Sequence, residues 1–352
     1  MRAAGEIEVE GVPIRPHMPS LPHARPPRPA LAGVVGIPAI AYAFAGEPVP
    51  LAALAARGAL ASTPELLASF GFDAVHVAAG ETPYELALAA SRALLEEHRI
   101  DPASVDAIVY GGTTAAMAFA AADDARDAAL ALCTTGRFRY PAARLQYDLG
   151  MERAALLGVD QLACTTLFGA VRVARALCLA EGMQRVLCVA SEFFPSAAGR
   201  EALWNCTSDA ACAILVERGA DRHRVHALTT VSKGYYWDAD AMPEEVVASY
   251  FPTAQHVVRR TLDAAGWRAA DVRWVFPHNV SARSWRILMG LLALPNATLW
   301  DANIAARGHT LAGDNFINLR DAVDAGALRP GEKALLFSYG FGAHWTALAL
   351  EV

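Results

Sequence analysis

A repeated segment constrains this chain more than any other feature. A helical run ending Leu94-Leu95-Glu96-Glu97 passes through Arg99-Ile100-Asp101-Pro102 into Val105 and the apolar run Ala107–Tyr110. Another, ending Leu262-Asp263-Ala264-Ala265, passes through Gly266-Trp267-Arg268 into Val272 and the run Trp274–Phe276. Val105 aligns with Val272, and Ile108 with Val275, at a single offset. A second pair matches too. Gly182-Met183-Gln184-Arg185-Val186-Leu187 resembles Gly331-Glu332-Lys333-Ala334-Leu335-Leu336, with a glycine and a basic residue leading into a buried strand. Apolar runs without polar alternation suit strands covered on both faces. Helical stretches are expected between them at about 82–97, 165–181, 243–265 and 282–293. This is an α/β order, and the repeat points to two related halves. Helix, turn and apolar strand also recur by chance in α/β chains, so the repeat alone leaves both explanations open. The chain's 352 residues fit two units of ~150–200 residues. The expected division is a flexible arm over 1–30, a first half over 31–219 and a second over 220–352.

Composition removes several function classes. With 54% hydrophobic and 19% charged residues, a sizeable core is expected and wholesale disorder is excluded. The net charge of −6 gives no general attraction for nucleic acid. The longest uncharged run, Pro29 to Gly46, contains Gly33, Gly36 and Pro38, which would break a membrane helix. Glu6, Glu8 and Glu10 do not suit a transit peptide. Six cysteines form no CxxC pair and no secretory signal precedes them, so reduced thiols in a cytoplasm are expected. His223-Arg224-Val225-His226 has the spacing of a metal pair but no further ligands, so a surface strand is expected there and no metal site.

Cys164 lies in Ala163-Cys164-Thr165-Thr166, just before a long apolar helix for which Gly182 is the expected C-terminal cap. A helix N-terminus carries partial positive charge and free N–H groups. A thiol there gains thiolate character, and its own N–H can face a developing oxyanion. A lone cysteine is otherwise a small buried hydrophobe, which is the reading for Cys178 and Cys188. His278 ends a strand in Phe276-Pro277-His278-Asn279, and His309 lies in the loop Gly308-His309-Thr310. Each alone is compatible with a structural or surface histidine. Together with Cys164 they suit thioester chemistry, in which a nucleophile takes the acyl group and imidazoles hold an enolate. Ser338-Tyr339-Gly340-Phe341-Gly342 is a glycine turn whose N–H groups can approach a ligand. An ordinary β-turn has the same composition.

In this order, over about residues 31–352, these pieces resemble the thiolase superfamily, and most closely its ketosynthase III-like enzymes. The marks are Glu81-Thr82 opening a helix, Ala163-Cys164, the strand start Ser208-Asp209-Ala210, Pro277-His278, Gly308-His309-Thr310 and the Gly340–Trp345 turn. The resemblance implies a five-layered αβαβα fold of two similar halves, usually a homodimer. It implies Cys164, His278 and His309 as catalytic residues, with the N–H groups of Cys164 and Phe341 as the oxyanion hole. His309 stands where ketosynthase III enzymes usually have asparagine. That motif and the Ser338–Gly342 turn look like those of the elongating ketosynthases, giving a Cys-His-His site. Arg283 matches a family arginine that meets the acidic acyl carrier protein, and Arg286 would join it; a solvated helix face is the alternative. The implied substrates are acyl-CoA or acyl-carrier-protein phosphopantetheine thioesters, with no tightly bound cofactor. The implied reaction is decarboxylative condensation with a malonyl thioester, in fatty-acid-like or polyketide synthesis. Transfer to a hydroxyl or amine is the second reading. A third is a non-catalytic partner subunit, although such subunits usually lack the nucleophile. Residues 113–145 are expected to line the acyl pocket.

Overall fold

The computed structural model describes residues 33–112, 118–119, 138–194, 199–203, 205–239 and 241–352. The expected arm over 1–30, Cys133 and most of 113–145 lie outside the described residues. The strands are β1 Val35–Phe44, β2 Pro48–Pro50, β3 Ala74–His76, β4 Ala107–Gly111, β5 Ala155–Val159, β6 Arg185–Glu192 and β7 Glu201–Ala202. They continue with β8 Asn205–Cys206, β9 Ala210–Arg218, β10 Arg224–Ser232, β11 Val272–Pro277, β12 Thr298–Leu299, β13 Lys333–Gly340 and β14 His344–Glu351.

Ten of them form one hydrogen-bonded series in the order β12-β11-β13-β14-β10-β1-β9-β6-β4-β5. Outward from the β1–β10 seam, one wing runs β1-β9-β6-β4-β5 and the other β10-β14-β13-β11-β12. Each wing has two antiparallel pairings nearest the seam and two parallel pairings beyond them. The strands matched by the sequence repeat take equivalent places: β4 corresponds to β11, and β6 to β13. The seam is narrow, with Gly36 paired to Arg224.

Apolar residues on both faces of these strands need cover, and three helical layers supply it. The helices Thr166–Ala176 and Asp314–Asp324 lie between the wings. Their Phe168 and Phe316 rings meet at 5.3 Å, and both side chains are almost fully buried. Each such ring contributes roughly 1.5–3 kcal/mol by leaving water. The helix Pro83–Glu97 covers the first wing. Thr82 and Glu85 close its N-terminus with a reciprocal capping box. Pro243–Ala265 and Ala282–Leu292 cover the second wing. The result is the αβαβα thiolase-type arrangement. One described helix, Ala163–Glu181, has the length and apolarity of a membrane span, but its apolar side is used in the central layer. It ends in a π-helical turn, Leu177–Glu181, capped by left-handed Gly182.

Candidate active site

The turn that carries Cys164 is fixed by backbone conformation. Cys164 lies in a single 3-10 turn, Ala163–Thr165, immediately before the Thr166–Ala176 helix. Gln161 and Ala163 both take left-handed φ values, +61° and +44°, which cost non-glycine residues on the order of 1 kcal/mol each. The surroundings hold that strain. Thr165 returns its hydroxyl to the Leu162 carbonyl at 2.7 Å, and Thr166 does the same to Ala163 at 2.7 Å. From the other wing, Ser338 donates to the Cys164 carbonyl at 3.0 Å. Gly340 follows, where a Cβ would stand 2.3 Å from the Leu162 carbonyl oxygen. Only glycine lets the end of β13 run this close to the turn.

The partner loop is fixed by hydrogen bonds. Gly308 has φ +60°, and a Cβ there would meet the Cys206 carbonyl at 2.9 Å. The His309 N–H donates to that carbonyl at 2.8 Å, and the His309 carbonyl accepts from Ser208 at 2.9 Å. The imidazole thereby reaches Cys164, with Sγ 3.1 Å from Nε2. Its other nitrogen, Nδ1, meets Asp314 Oδ2 at 2.5 Å.

Asp314 was not anticipated from the sequence, and it organises this side of the site. It is fully buried at the start of the Asp314–Asp324 helix, where the helix dipole favours a carboxylate. Besides His309 it accepts from the Asn279 N–H at 2.6 Å, the Thr310 N–H at 2.7 Å and the Thr310 hydroxyl at 2.6 Å. Its neighbours are polar and buried as well. Asn315 donates to the Phe276 and Phe337 carbonyls, and Asn318 to the Pro277 carbonyl. A signal was present in Ala312-Gly313-Asp314-Asn315-Phe316, where an acid opens a helix five residues after the histidine.

His278 follows β11 and is 2% exposed. Its ring packs edge-on against Trp285 at 5.6 Å and Phe337 at 6.0 Å, with its centroid 6.1 Å from that of His309. Its Nδ1 has no hydrogen-bond partner among the described residues. Burial and neighbouring groups move the two histidines in opposite directions. Burial and the neighbouring His309 push His278 down to about 3, with only partial compensation from Asp314 and the Phe337 carbonyl. For His309, burial also favours the neutral ring. The charges of Asp314 and Cys164 and the hydrogen bonds to both outweigh it, holding His309 well above the ordinary histidine value. Opposed shifts in adjacent groups separate a proton carrier from a neutral donor.

Cys164, His278 and His309 line one cavity of about 300 Å³. Its far wall comes from Val246, Tyr250 and Phe251 of the long helix, and Tyr339 and Phe341 close another side. Phe341 lies just past the end of β13 and is 37% exposed. The described residues of 113–145 are not in this wall. Arg283 and Arg286 are exposed on the outer face of Ala282–Leu292, whose Ser284 reaches the cavity. His223 corrects the sequence reading: it is buried, 2% exposed, and its Nδ1 binds the Ile37 carbonyl at 2.9 Å, so it is not on a surface strand. Among the described residues no cluster of three His, Cys, Asp or Glu side chains could hold a metal ion. Cys178 and Cys188 are fully buried, and burial raises both thiols, Cys178 to about 11.

A thiol, two unlike imidazoles and a carboxylate on this αβαβα frame define a thiolase-fold protein. Comparison narrows the class. Residues 262–352 match the family described as 3-oxoacyl-(acyl-carrier-protein) synthase III C terminal. A β-ketoacyl-(acyl-carrier-protein) synthase III of Methylococcus capsulatus is 25% identical over 299 residues, covering 78% of this chain and 86% of that one. The Streptomyces coelicolor synthase III 3 is 31% identical over 144 residues, a stretch covering 38% of this chain and 43% of that relative. The crystal structure of the Aquifex aeolicus synthase III superposes with a TM-score of 0.76 at 20% identity, covering 90% of this chain and all of that one. The chain is ketosynthase III-like.

Proposed function

We propose that this chain is an acyltransferase of the β-ketoacyl synthase III type. The observation that carries the reading is the 3.1 Å contact from Cys164 Sγ to His309 Nε2, with Asp314 behind it, at the floor of an apolar cavity. Cys164 as thiolate attacks the carbonyl carbon of an acyl thioester, and the oxyanion rests on the N–H groups of Cys164 and Phe341. The bond to the leaving sulfur breaks, and the His309 imidazolium supplies the proton that the departing thiolate takes. A malonyl thioester then enters. His309 is reprotonated from water when the free thiol departs, and loss of carbon dioxide then leaves an enolate whose oxygen accepts from His278 and His309. Its carbon attacks the acyl carbonyl, and Cys164 leaves as thiolate. A neutral His278 fits this step because it donates an N–H without titrating.

The His309–Asp314 pair favours one alternative. A carboxylate-backed imidazole is equipped to remove a proton from a hydroxyl or amine acceptor, so acyl transfer to oxygen or nitrogen is the second reading. In either case the substrates are acyl-CoA or acyl-carrier-protein thioesters with no tightly bound cofactor, and Arg283 and Arg286 form the carrier-protein dock. We take the working form as a cytoplasmic homodimer. Strand β5, an apolar sheet edge with Leu156 41% exposed, offers a second copy a strand to pair with.

Intact-mass analysis after incubation with acyl thioesters tests the reading. A mass gain that disappears in Cys164→Ser is expected, and carbon dioxide is released from malonyl thioester only when the acyl-enzyme is present. Transfer to an added alcohol or amine without malonyl consumption selects the second reading. No mass gain with any acyl thioester overturns both.

A further inference from the structure

One polar group in the cavity wall has no task in this chemistry. Tyr339 is 9% exposed and lines the cavity beside Cys164 and His278. Its hydroxyl is buried and has no hydrogen-bond partner among the described residues. The ring is held at 4.8 Å from Trp345 and, edge-on, at 5.5 Å from Tyr250. Two other polar side chains of the wall, Asn205 and Thr207, are committed to the protein. Asn205 accepts from the Ser281 N–H at 2.9 Å, and Thr207 donates to the Arg200 carbonyl at 3.1 Å. A buried donor left unpaired costs stability, and a ligand oxygen removes that cost. Burial, with the charge of Cys164 adding to it, pushes the Tyr339 hydroxyl up to about 12, so it stays protonated as a donor.

We infer that the Tyr339 hydroxyl donates a hydrogen bond to an oxygen of the bound thioester, making it a substrate-selecting residue of this site. That oxygen belongs either to a 3-hydroxy or 3-oxo acyl group or to an amide carbonyl of the pantetheine arm. The inference rests on the proposal that Cys164 accepts an acyl group. A site built around a hydroxyl donor discriminates against ligands that cannot accept from it, because the donor is then stranded.

The test uses the full chain, Tyr339→Phe, and unreactive ketone analogues of acyl-pantetheine in which a methylene replaces the sulfur. Dissociation constants are measured for the hexanoyl analogue, its 3-hydroxy form, and a hexanoyl analogue whose arm carries methylenes in place of amides. If the acyl oxygen is the partner, wild type prefers the 3-hydroxy form by about tenfold over hexanoyl, and Tyr339→Phe erases the preference. If the arm is the partner, the preference for the amide-bearing arm falls about tenfold instead. Equal ratios in both proteins overturn the inference. Acylation of Cys164 by the true thioesters is followed in parallel by mass. Its absence would sink the proposed function, while the affinity ratios still decide the role of Tyr339.

Discussion

The Gln161–Thr166 turn and the Arg307–Asp314 loop meet at one sulfur–nitrogen contact, but they are held by opposite means. The turn is shaped by backbone: two left-handed residues and a glycine-only approach from β13. The loop has a glycine-only approach as well, at Gly308, but what sets it apart is a buried carboxylate with four donors around it. A backbone-built element is sensitive to space, whereas a charge-built element is sensitive to protonation. The two regions should therefore fail differently.

The largest difference is expected from Asp314→Asn. The change keeps shape but removes the charge that favours the His309 imidazolium, and acylation of Cys164 should fall on the order of a hundredfold or more. The effect should depend on pH. His309 is raised in the folded state, so its contribution to stability is complete below the unfolded value of about 6.5 and is lost as pH rises through the folded one. The melting-temperature gap between wild type and variant should be widest in mild acid and close at alkaline pH. A gap constant with pH would mean that Asp314 holds the loop by shape alone. Gly340→Ala should act on the turn and not on the loop. Its Cβ would collide with the Leu162 carbonyl, at a cost of about 1–3 kcal/mol. Denaturant melts should show that loss at every pH, and full stability would refute a space-limited turn. The smallest expected change is none. His278, near 3, should show a neutral imidazole by nitrogen NMR from pH 8 to pH 5, while His309 remains charged at neutral pH. A protonated His278 at pH 6 would contradict the division of roles.

The difference between the regions also explains what could be read in advance. The strands at Ala107, Arg185, Trp274 and Ala334 were visible because unbroken apolar runs specify burial locally. Cys164 stood out because it precedes a long apolar helix. The helix starting at Pro83 was marked by Glu81-Thr82 ahead of it. Asp314 did not, since its meaning depends on the side chains that converge on it from Asn279, Thr310 and His309. Nor could sequence show that the long helix around Tyr250 walls the cavity, because that depends on how the second wing packs. His223 was misjudged for the same reason: its burial comes from β1, remote in sequence.

The backbone of His309 is tied to Cys206 and Ser208, which precede β9 in the opposite wing. A chain with only one wing assembled thus has a sulfur without its imidazole partner, or the imidazole without its sulfur. The two meet only when the last long-range closure is made. The rate at which a thiol reagent finds Cys164 during refolding would then serve as a clock for that final step.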